Sequence, residues 1–368
     1  MKKLWEFEES VQKVLIPIHL KKHGEIIGEL TTPYSYIYTL AKGASASPNS
    51  LLIAKAPKII GSVKEDEIQS RLIRLLAEIN HTYRICHHSL IQRFGSIEII
   101  HGVPFLISAK RHLTLRDAME ESPLSETDTL AIAVQLCRAL EYCAEKGIKC
   151  HQDLKPENVF LDIVDLKFLG DRPYPFKYQA YLADLDMANA AALFNKPYGS
   201  RPYMAAEQYG GAAEQDAGQK DFSRVDIFAL GVNIYEMLTG GIHPLGERTS
   251  DIWPQSSKGK KWEHEEPWKK WARGNAVIKN EFAIKNDVIL GIMKKCLSAK
   301  VSDRPSPTQL KDDLFRELTI LNPQAATNLD AYLNMLDSAE RVNADEGWPY
   351  MDQLIDKVRH CFDEEDSK

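Results

Sequence analysis

The eight residues His151-Gln152-Asp153-Leu154-Lys155-Pro156-Glu157-Asn158 set a carboxylate, an ammonium group and an amide in close succession, just before the apolar run Val159-Phe160-Leu161. Phosphoryl transfer calls for such groups: a carboxylate to orient and deprotonate the incoming hydroxyl, a cation near the moving phosphoryl, and an oxygen ligand for a divalent metal. Further along, Ala183-Asp184-Leu185-Asp186-Met187-Ala188 follows the strand-like Tyr181-Leu182 and puts a second carboxylate at a strand exit. A third arrangement is a lysine ending an apolar strand, Lys55 after Leu51-Leu52-Ile53-Ala54, with a helical carboxylate, Glu78, to hold it. Lys58 rivals Lys55, and Glu65 and Glu67 rival Glu78. The apolar run enters Lys55 directly, whereas Pro57 would disrupt a strand continuing to Lys58.

These groups need elements to hold them. Residues 25–107 read as strands around one helix. Tyr36-Ile37-Tyr38-Thr39-Leu40 and Leu51-Leu52-Ile53-Ala54 are joined by the turn-rich Gly43-Ala44-Ser45-Ala46-Ser47-Pro48-Asn49, which predicts a hairpin. Ser62 and Glu65 have capping-box spacing, and Ile68, Leu72, Leu75 and Ile79 follow at helical intervals on the helix that carries Glu78. Runs at 90–100 and 103–107 read as two further strands. From Leu113 the pattern turns helical: Ser125 and Asp128 cap a helix marked by Leu130, Val134, Cys137, Leu140 and Ala144 that ends at Gly147. Ser223 and Asp226 are expected to open another, apolar on nearly every side through Ile227-Phe228-Ala229-Leu230-Gly231-Val232 and closed by Gly240, hence central and buried.

The segment 151–158 closely resembles the catalytic loop of protein kinases, and the likeness extends over roughly residues 25–318. The chain looks most like bacterial serine/threonine kinases that resemble eukaryotic ones, among which glycine-poor phosphate loops and compact activation segments are common; Gln152 here is neutral where regulated members of the family have arginine. The resemblance implies an α+β, two-lobed fold. A small mainly β N-lobe with one helix would span about 25–108, and a larger mainly α C-lobe about 113–320. Residues 1–24 would form an N-terminal extension and 321–368 an acidic helical C-terminal one. It also implies ATP with Mg2+, or Mn2+, as cofactors and a protein substrate accepting on serine or threonine. Asp153 would act as base, Lys155 as the cation, and Asn158 and Asp184 as metal ligands. Lys55 and Glu78, with Leu30, Tyr34, Ile37 and Ser108, would hold the nucleotide. Gly199-Ser200-Arg201-Pro202-Tyr203-Met204-Ala205-Ala206-Glu207 resembles the end of the activation segment, with Ser200 beside the catalytic group, Glu207 bridged to Arg304, and Asp226 holding the catalytic loop's backbone.

Three departures from the family pattern stand out. The phosphate-loop segment, Leu30-Thr31-Thr32-Pro33-Tyr34-Ser35-Tyr36-Ile37, has only Gly28 upstream and none of the three usual glycines in register, which reduces backbone N–H access to phosphates. Asp186 replaces a glycine, and Ala206 a proline. A pseudokinase scaffold is therefore the rival to an active enzyme, although Lys55, Glu78, Asp153, Asn158 and Asp184 are all present. A small-molecule phosphotransferase fits less well, because Lys155 and the 203–207 segment point to protein acceptors. The 26 residues from Asn158 to Asp184 leave room for a hairpin insertion through Gly170-Asp171-Arg172-Pro173.

Composition narrows the partners. With 27% charged residues, 44% hydrophobic ones and a formal charge of -6, no nucleic-acid groove or anionic membrane surface is indicated. The run 227–238 is interrupted by Asn233 and Glu236 and is shorter than the roughly 20 residues a membrane span needs. The acidic residues near the start do not suit a signal peptide, and the six cysteines show no CxxC spacing, so a cytoplasmic protein is expected. Four tryptophans at 253, 262, 268 and 271 are either local core or an exposed docking face. A regulatory partner would bind there, over 247–275, or on the C-terminal extension.

Overall fold

A computed structural model describes residues 2–32, 35–43, 50–59, 64–85, 87–164, 176–190, 199–209, 221–253 and 265–344. The chain divides into two compact units.

Among the described residues, the first unit holds those up to 87 together with 92–112 and 342–344. Its five strands are β1 (Glu25–Thr31), β2 (Ser35–Ala41), β3 (Leu52–Pro57), β4 (Phe94–Ile100) and β5 (Val103–Ala109), in the order β1-β2-β3-β5-β4. All neighbours are antiparallel, and β3 ends at Pro57 as expected. Two helices accompany the sheet, α1 (Glu9–Leu20) and α2 (Glu65–Ile85). Helix α1 lies within the expected N-terminal extension and is packed into this unit. Leu4, Ile16 and Leu20 are buried in the same cluster as Leu40, Phe105 and Ile107, and Leu4 N–H donates to the His101 carbonyl. Three apolar side chains at those spacings gain more by covering the sheet than a free tail would by solvation. The strand expected over 90–100 starts only at Phe94. Leu90 and Ile91 belong to the second unit, where the Leu90 carbonyl accepts from Leu182 N–H.

The second unit comprises residues 88–91 and 113–341. A small sheet, β6 (Leu113–Thr114), β7 (Val159–Ile163) and β8 (Tyr178–Leu182), is accompanied by helices α3 (Leu115–Glu121), α4 (Glu126–Glu145), α5 (Val225–Thr239), α6 (Thr249–Ile252), α7 (Glu265–Arg273), α8 (Asp287–Cys296), α9 (Pro307–Leu321) and α10 (Pro323–Ala344). Ser125 caps α4 by accepting from Asp128 N–H, as its spacing predicts. Helix α5 is buried from Val225 through Met237 and stops at Gly240 in the left-handed conformation. Its start differs from expectation. The capping position is Arg224, which makes no side-chain cap, and Asp226 turns its carboxylate to the catalytic loop instead.

The acidic extension expected from residue 321 begins as part of this unit. Ala325, Ala326 and Leu329 of α10 are buried, Asp337 accepts from Arg138 of α4 at 3.3 Å, and Tyr332 packs on Phe176. Residues 345–368, and the expected hairpin tip at 170–173, lie outside the described residues. Trp268 and Trp271 are buried around His243, with ring centroids 5.2 and 4.6 Å away, so these two are core. Trp253 is half-buried under the Arg201 guanidinium, and Trp262 lies outside the described residues. Among the described residues no helix is long and apolar enough to cross a membrane.

Candidate active site

The β7–β8 hairpin, through its register, brings the distant motif residues together. Val159 pairs with Leu182, so Asn158 and Ala183 stand at the same end, and Ala183 N–H donates to the Asn158 carbonyl. Gln135 of α4, fully buried, braces the hairpin by donating to the Tyr178 carbonyl and accepting from Ala180 N–H, each at 3.0 Å. Asp184 is the next residue and sits in the left-handed region, φ 65° and ψ 71°. A non-glycine residue held there costs on the order of 1 kcal/mol or more, and such strain gathers where a side chain must be aimed.

The loop before β7 hangs on Asp226. Its buried carboxylate accepts from His151 N–H at 2.7 Å and Gln152 N–H at 2.9 Å. Burial pushes this carboxyl up from the ordinary range, against the opposing pull of His151 and the two N–H groups. The His151 ring donates through Nε2 to the Ala183 carbonyl at 2.8 Å, tying the loop to the residue before Asp184. Gln152 has φ 69°, and its carbonyl accepts from the Gln208 side chain. Gly199 packs against that same carbonyl: a Cβ there would come within 2.6 Å of it, at a φ of +133°, so only glycine fits.

Asp153 is the hub. Its Oδ1 accepts from Ser200 N–H at 2.6 Å, and its Oδ2 accepts from Lys155 Nζ at 2.6 Å and from Asn158 Nδ2 at 3.3 Å. Lys155 also donates to Ser200 Oγ at 2.9 Å, and Asn158 Nδ2 to the Asp153 carbonyl at 2.9 Å. Burial pushes the Asp153 carboxyl up, but the Lys155 charge and the hydrogen bonds from Lys155 and Ser200 outweigh it and leave it below the ordinary value. Burial likewise works against the Lys155 charge, and Asp153, followed by Asp184, more than offsets it and raises the ammonium. Both groups are therefore ionised at neutral pH. An ionised, paired carboxylate is suited to orienting a hydroxyl in a loose, largely dissociative transfer, where strong basicity is not required.

In the first unit Lys55 Nζ reaches both oxygens of Glu78, at 2.9 and 3.0 Å. Of the rivals, Glu67 pairs with Arg71, which also donates to the Lys58 carbonyl. Ile37 pairs with Lys55 across β2–β3 and with Leu30 across β1–β2, and Ser108 lies on β5 opposite Ile53. Leu30 is exposed. Tyr34 lies outside the described residues. Where the glycines are missing, the β1–β2 hairpin is closed by Thr32 and Ser35: Thr32 N–H donates to the Ser35 carbonyl, and Thr32 Oγ1 accepts from Ser35 N–H at 2.8 Å. The Thr32 hydroxyl and the Ser35 backbone thus tie the two strand ends together without a glycine.

Two single-turn helices, Arg201–Tyr203 and Ala206–Gln208, follow Ser200. Glu207 accepts from Arg304 at 2.5 and 3.0 Å in a two-point bridge, and the guanidinium also lies over the Phe228 ring, 5.1 Å from its centroid. Arg116 of α3, buried with its guanidinium on Glu157 of the catalytic loop, was not singled out from the sequence. Its signal was weak, a single arginine in a helix.

A model of the protein kinase domain matches residues 50–315, beginning just after the glycine-poor β1–β2 hairpin. Among curated relatives, a probable serine/threonine-protein kinase of Corynebacterium efficiens is 27% identical over 174 residues, covering 45% of this chain and 24% of the relative. The serine/threonine-protein kinase Pkn1 of Myxococcus xanthus is 30% identical over 170 residues, 45% of this chain and 22% of its own. The NUAK family SNF1-like kinase 2 of Rattus norvegicus is 25% identical over 261 residues, 68% and 37%. The chain thus spans less than half the length of these relatives. The domain match takes in most of the chain, and with it the loop that Asp226 suspends and the strand pair that presents Asp184; the chain belongs to the protein kinase family.

Proposed function

We propose that the protein transfers the γ-phosphoryl group of ATP, with Mg2+, to serine or threonine hydroxyls of a protein substrate. The observation that carries this reading is the Asp153–Lys155–Ser200 cluster, in which a carboxylate, an ammonium and a hydroxyl meet within hydrogen-bond distance beside Asn158. Lys55, gripped by Glu78, would hold the α- and β-phosphates. The donor set suits Mg2+. Asn158 uses its Nδ2 on the Asp153 carbonyl and so keeps Oδ1 as an oxygen donor, and Asp184 adds a carboxylate. Mg2+ commonly takes one or two such protein oxygens and fills its shell with phosphates and water. Bound there, it would neutralise charge on the phosphates. Asp153 would orient the incoming hydroxyl and receive its proton at Oδ, and Lys155 would stabilise the moving phosphoryl.

The deciding experiment is incubation of the purified chain with γ-labelled ATP, Mg2+ and a generic protein acceptor. Label in the acceptor supports the reading. Nucleotide binding without turnover would favour a scaffold, the alternative that the short, glycine-free β1–β2 turn supports. Because Lys155 and Ser200 crowd the space beside Asp153, a short side chain should be the better acceptor. Phosphoamino-acid analysis should show phosphoserine and phosphothreonine, and mainly phosphotyrosine would overturn the assignment.

A further expectation concerns control. The residue before Asp153 is Gln152, neutral and buried, so no cation waits there for a phosphate to balance. The stretch 187–196 contains no serine, threonine or tyrosine. Phosphatase-treated enzyme should keep its initial rate. A fall of more than about tenfold, restored by autophosphorylation within 184–207, would show that this segment is a phosphorylation switch.

A further inference from the structure

We infer that Arg116 is a positioning residue for the protein substrate: its buried guanidinium fixes Tyr203, and with it the 200–207 segment, to the catalytic loop and the central helix. The inference rests on the kinase reading above and names a residue that none of the motifs includes.

Arg116 is the second residue of α3, whose first turn is set by a capping box: Thr114 Oγ1 accepts from Asp117 N–H, and Thr114 N–H donates to Asp117 Oδ2 at 2.8 Å. That start leaves Asp117 exposed and turns Arg116 inward, where it is 7% exposed. Nε donates to Glu157 Oε1 at 2.9 Å, in the turn between Lys155 and β7. Nη2 donates to the Tyr203 hydroxyl and approaches Glu236 Oε2 of α5 at 3.4 Å. The Tyr203 hydroxyl donates to the same Glu236 oxygen at 2.9 Å, and Thr249 donates to the other. Three elements distant in sequence therefore meet on one side chain. Arginine's planar fork can reach in these directions at once, and lysine's single ammonium cannot.

The segment so held has further anchors near Tyr203. Ser200 N–H is bound by Asp153, and the Pro202 carbonyl accepts from His243 Nε2 at 2.9 Å. Tyr203 N–H closes the turn onto the Ser200 carbonyl. Loosening Tyr203 would thus free the far end of the turn that begins at the catalytic aspartate. The groups facing Glu236 are Arg116, Tyr203, Thr249 and, at longer range, Glu157. Burial pushes the Glu236 carboxyl up to about 7, against the pull of Arg116. It is ionised, and a full acceptor for the clamp, above that pH and protonated below it.

The test uses the full chain as Arg116→Gln, Arg116→Lys and Tyr203→Phe, with separate kinetics for protein acceptor and ATP. Arg116→Gln should raise the KM for protein by about tenfold or more and leave the KM for ATP within about twofold. Arg116→Lys should rescue this only in part, and Tyr203→Phe combined with Arg116→Gln should add less than the sum of the two. In the wild type the protein KM should rise between pH 8 and 6 while the ATP KM stays level, and Glu236→Gln should flatten that dependence. If Arg116→Gln does not fold because Glu236 is left without a cation, the Arg116→Gln/Glu236→Gln pair removes the stranded charge and should show the same split. Hydrogen exchange supplies a readout that needs no turnover: residues 200–209 should lose protection in Arg116→Gln while α4 keeps its own. An inactive wild type with that loss would sink the kinase reading and leave the clamp standing. Equal rises in both KM values, or unchanged protection over 200–209, would overturn the inference.

Discussion

Asp153→Ala should lose about 10²- to 10⁴-fold or more in phosphoryl transfer, the range that a positioned base contributes, and keep its fold. The expectation follows from what the carboxylate touches. Among the described residues it alone joins the Lys155 ammonium, the Ser200 backbone and the Asn158 amide, and its two oxygens face different partners. Deleting it removes the acceptor for the incoming proton and also the pin that holds the segment after Gly199 to the loop. The fold survives because the loop is suspended elsewhere: Asp226 holds the His151 and Gln152 backbone, and Lys155, with 22% of its side chain exposed, keeps Ser200 Oγ and can be hydrated. Asp153→Asn separates the two roles. An amide oxygen can still accept from Ser200 N–H, so the segment should stay placed, while charge and proton acceptance are lost; the rate should fall nearly as far as in Asp153→Ala.

The pH dependence has a definite sign. Asp153 is held below the ordinary carboxylate value by Lys155, so it remains ionised as pH falls through the neutral range and loses its charge only below that value. No acid limb in kcat near neutrality should then belong to Asp153. Initial rates with labelled ATP, beside thermal unfolding of each variant, check the prediction. An Asp153→Ala rate within about threefold of wild type would remove the role assigned to this residue.

Legibility in the sequence tracks how locally each group is specified. The catalytic loop could be read because its chemistry demands neighbouring residues, and Asp184 because an apolar strand delivers it. Lys55 could be chosen over Lys58 because Pro57 ends β3. Arg116 could not be found in this way, since its partners lie 41, 87 and 120 residues further along and share no pattern with α3. Helix α1 was hidden by mixed charge and an internal Pro17, so its buried side, Ile16 and Leu20, was too sparse to show periodicity. Asp226 carried two readings, a capping pair with Ser223 from their spacing and a hold on the catalytic loop's backbone from the family resemblance, and only the second is seen. What spacing does not carry is the competing claim of two backbone N–H groups on a loop 75 residues earlier. The tryptophans posed the opposite problem: aromatic content alone does not distinguish core from surface, and His243, which Trp268 and Trp271 enclose, lies outside their own segment.

Arg304→Ala should be the most destabilising of the substitutions considered, by about 3–5 kcal/mol, the usual cost of removing one member of a buried ion pair. The Arg304 side chain has no exposed surface, and the Glu207 side chain is 10% exposed. Beyond the two-point bridge to Glu207, the guanidinium donates to the Ser298 carbonyl at 2.7 Å and to the Arg224 and Ala299 carbonyls at 3.3 and 3.4 Å. Alanine would strand a carboxylate and leave three carbonyls without this donor at once, and would take away the cation over Phe228. Glu207→Gln should cost less, because Arg304 keeps its carbonyl partners and the amide oxygen still accepts. The asymmetry separates a stranded charge from simple loss of an attraction, since an attraction alone would be lost equally from either side. Thermal unfolding of the full chain should fall by about 6–20 °C for Arg304→Ala, taking 2–4 °C per kcal/mol for a unit of this size. Replacing both members with methionine should recover a large part of that loss, because an apolar pair of similar volume carries no desolvation cost. An Arg304→Ala shift below about 2 °C would mean that the bridge contributes little to holding Glu207, and that the 200–207 segment depends on its other anchors, Asp153, His243 and Arg116.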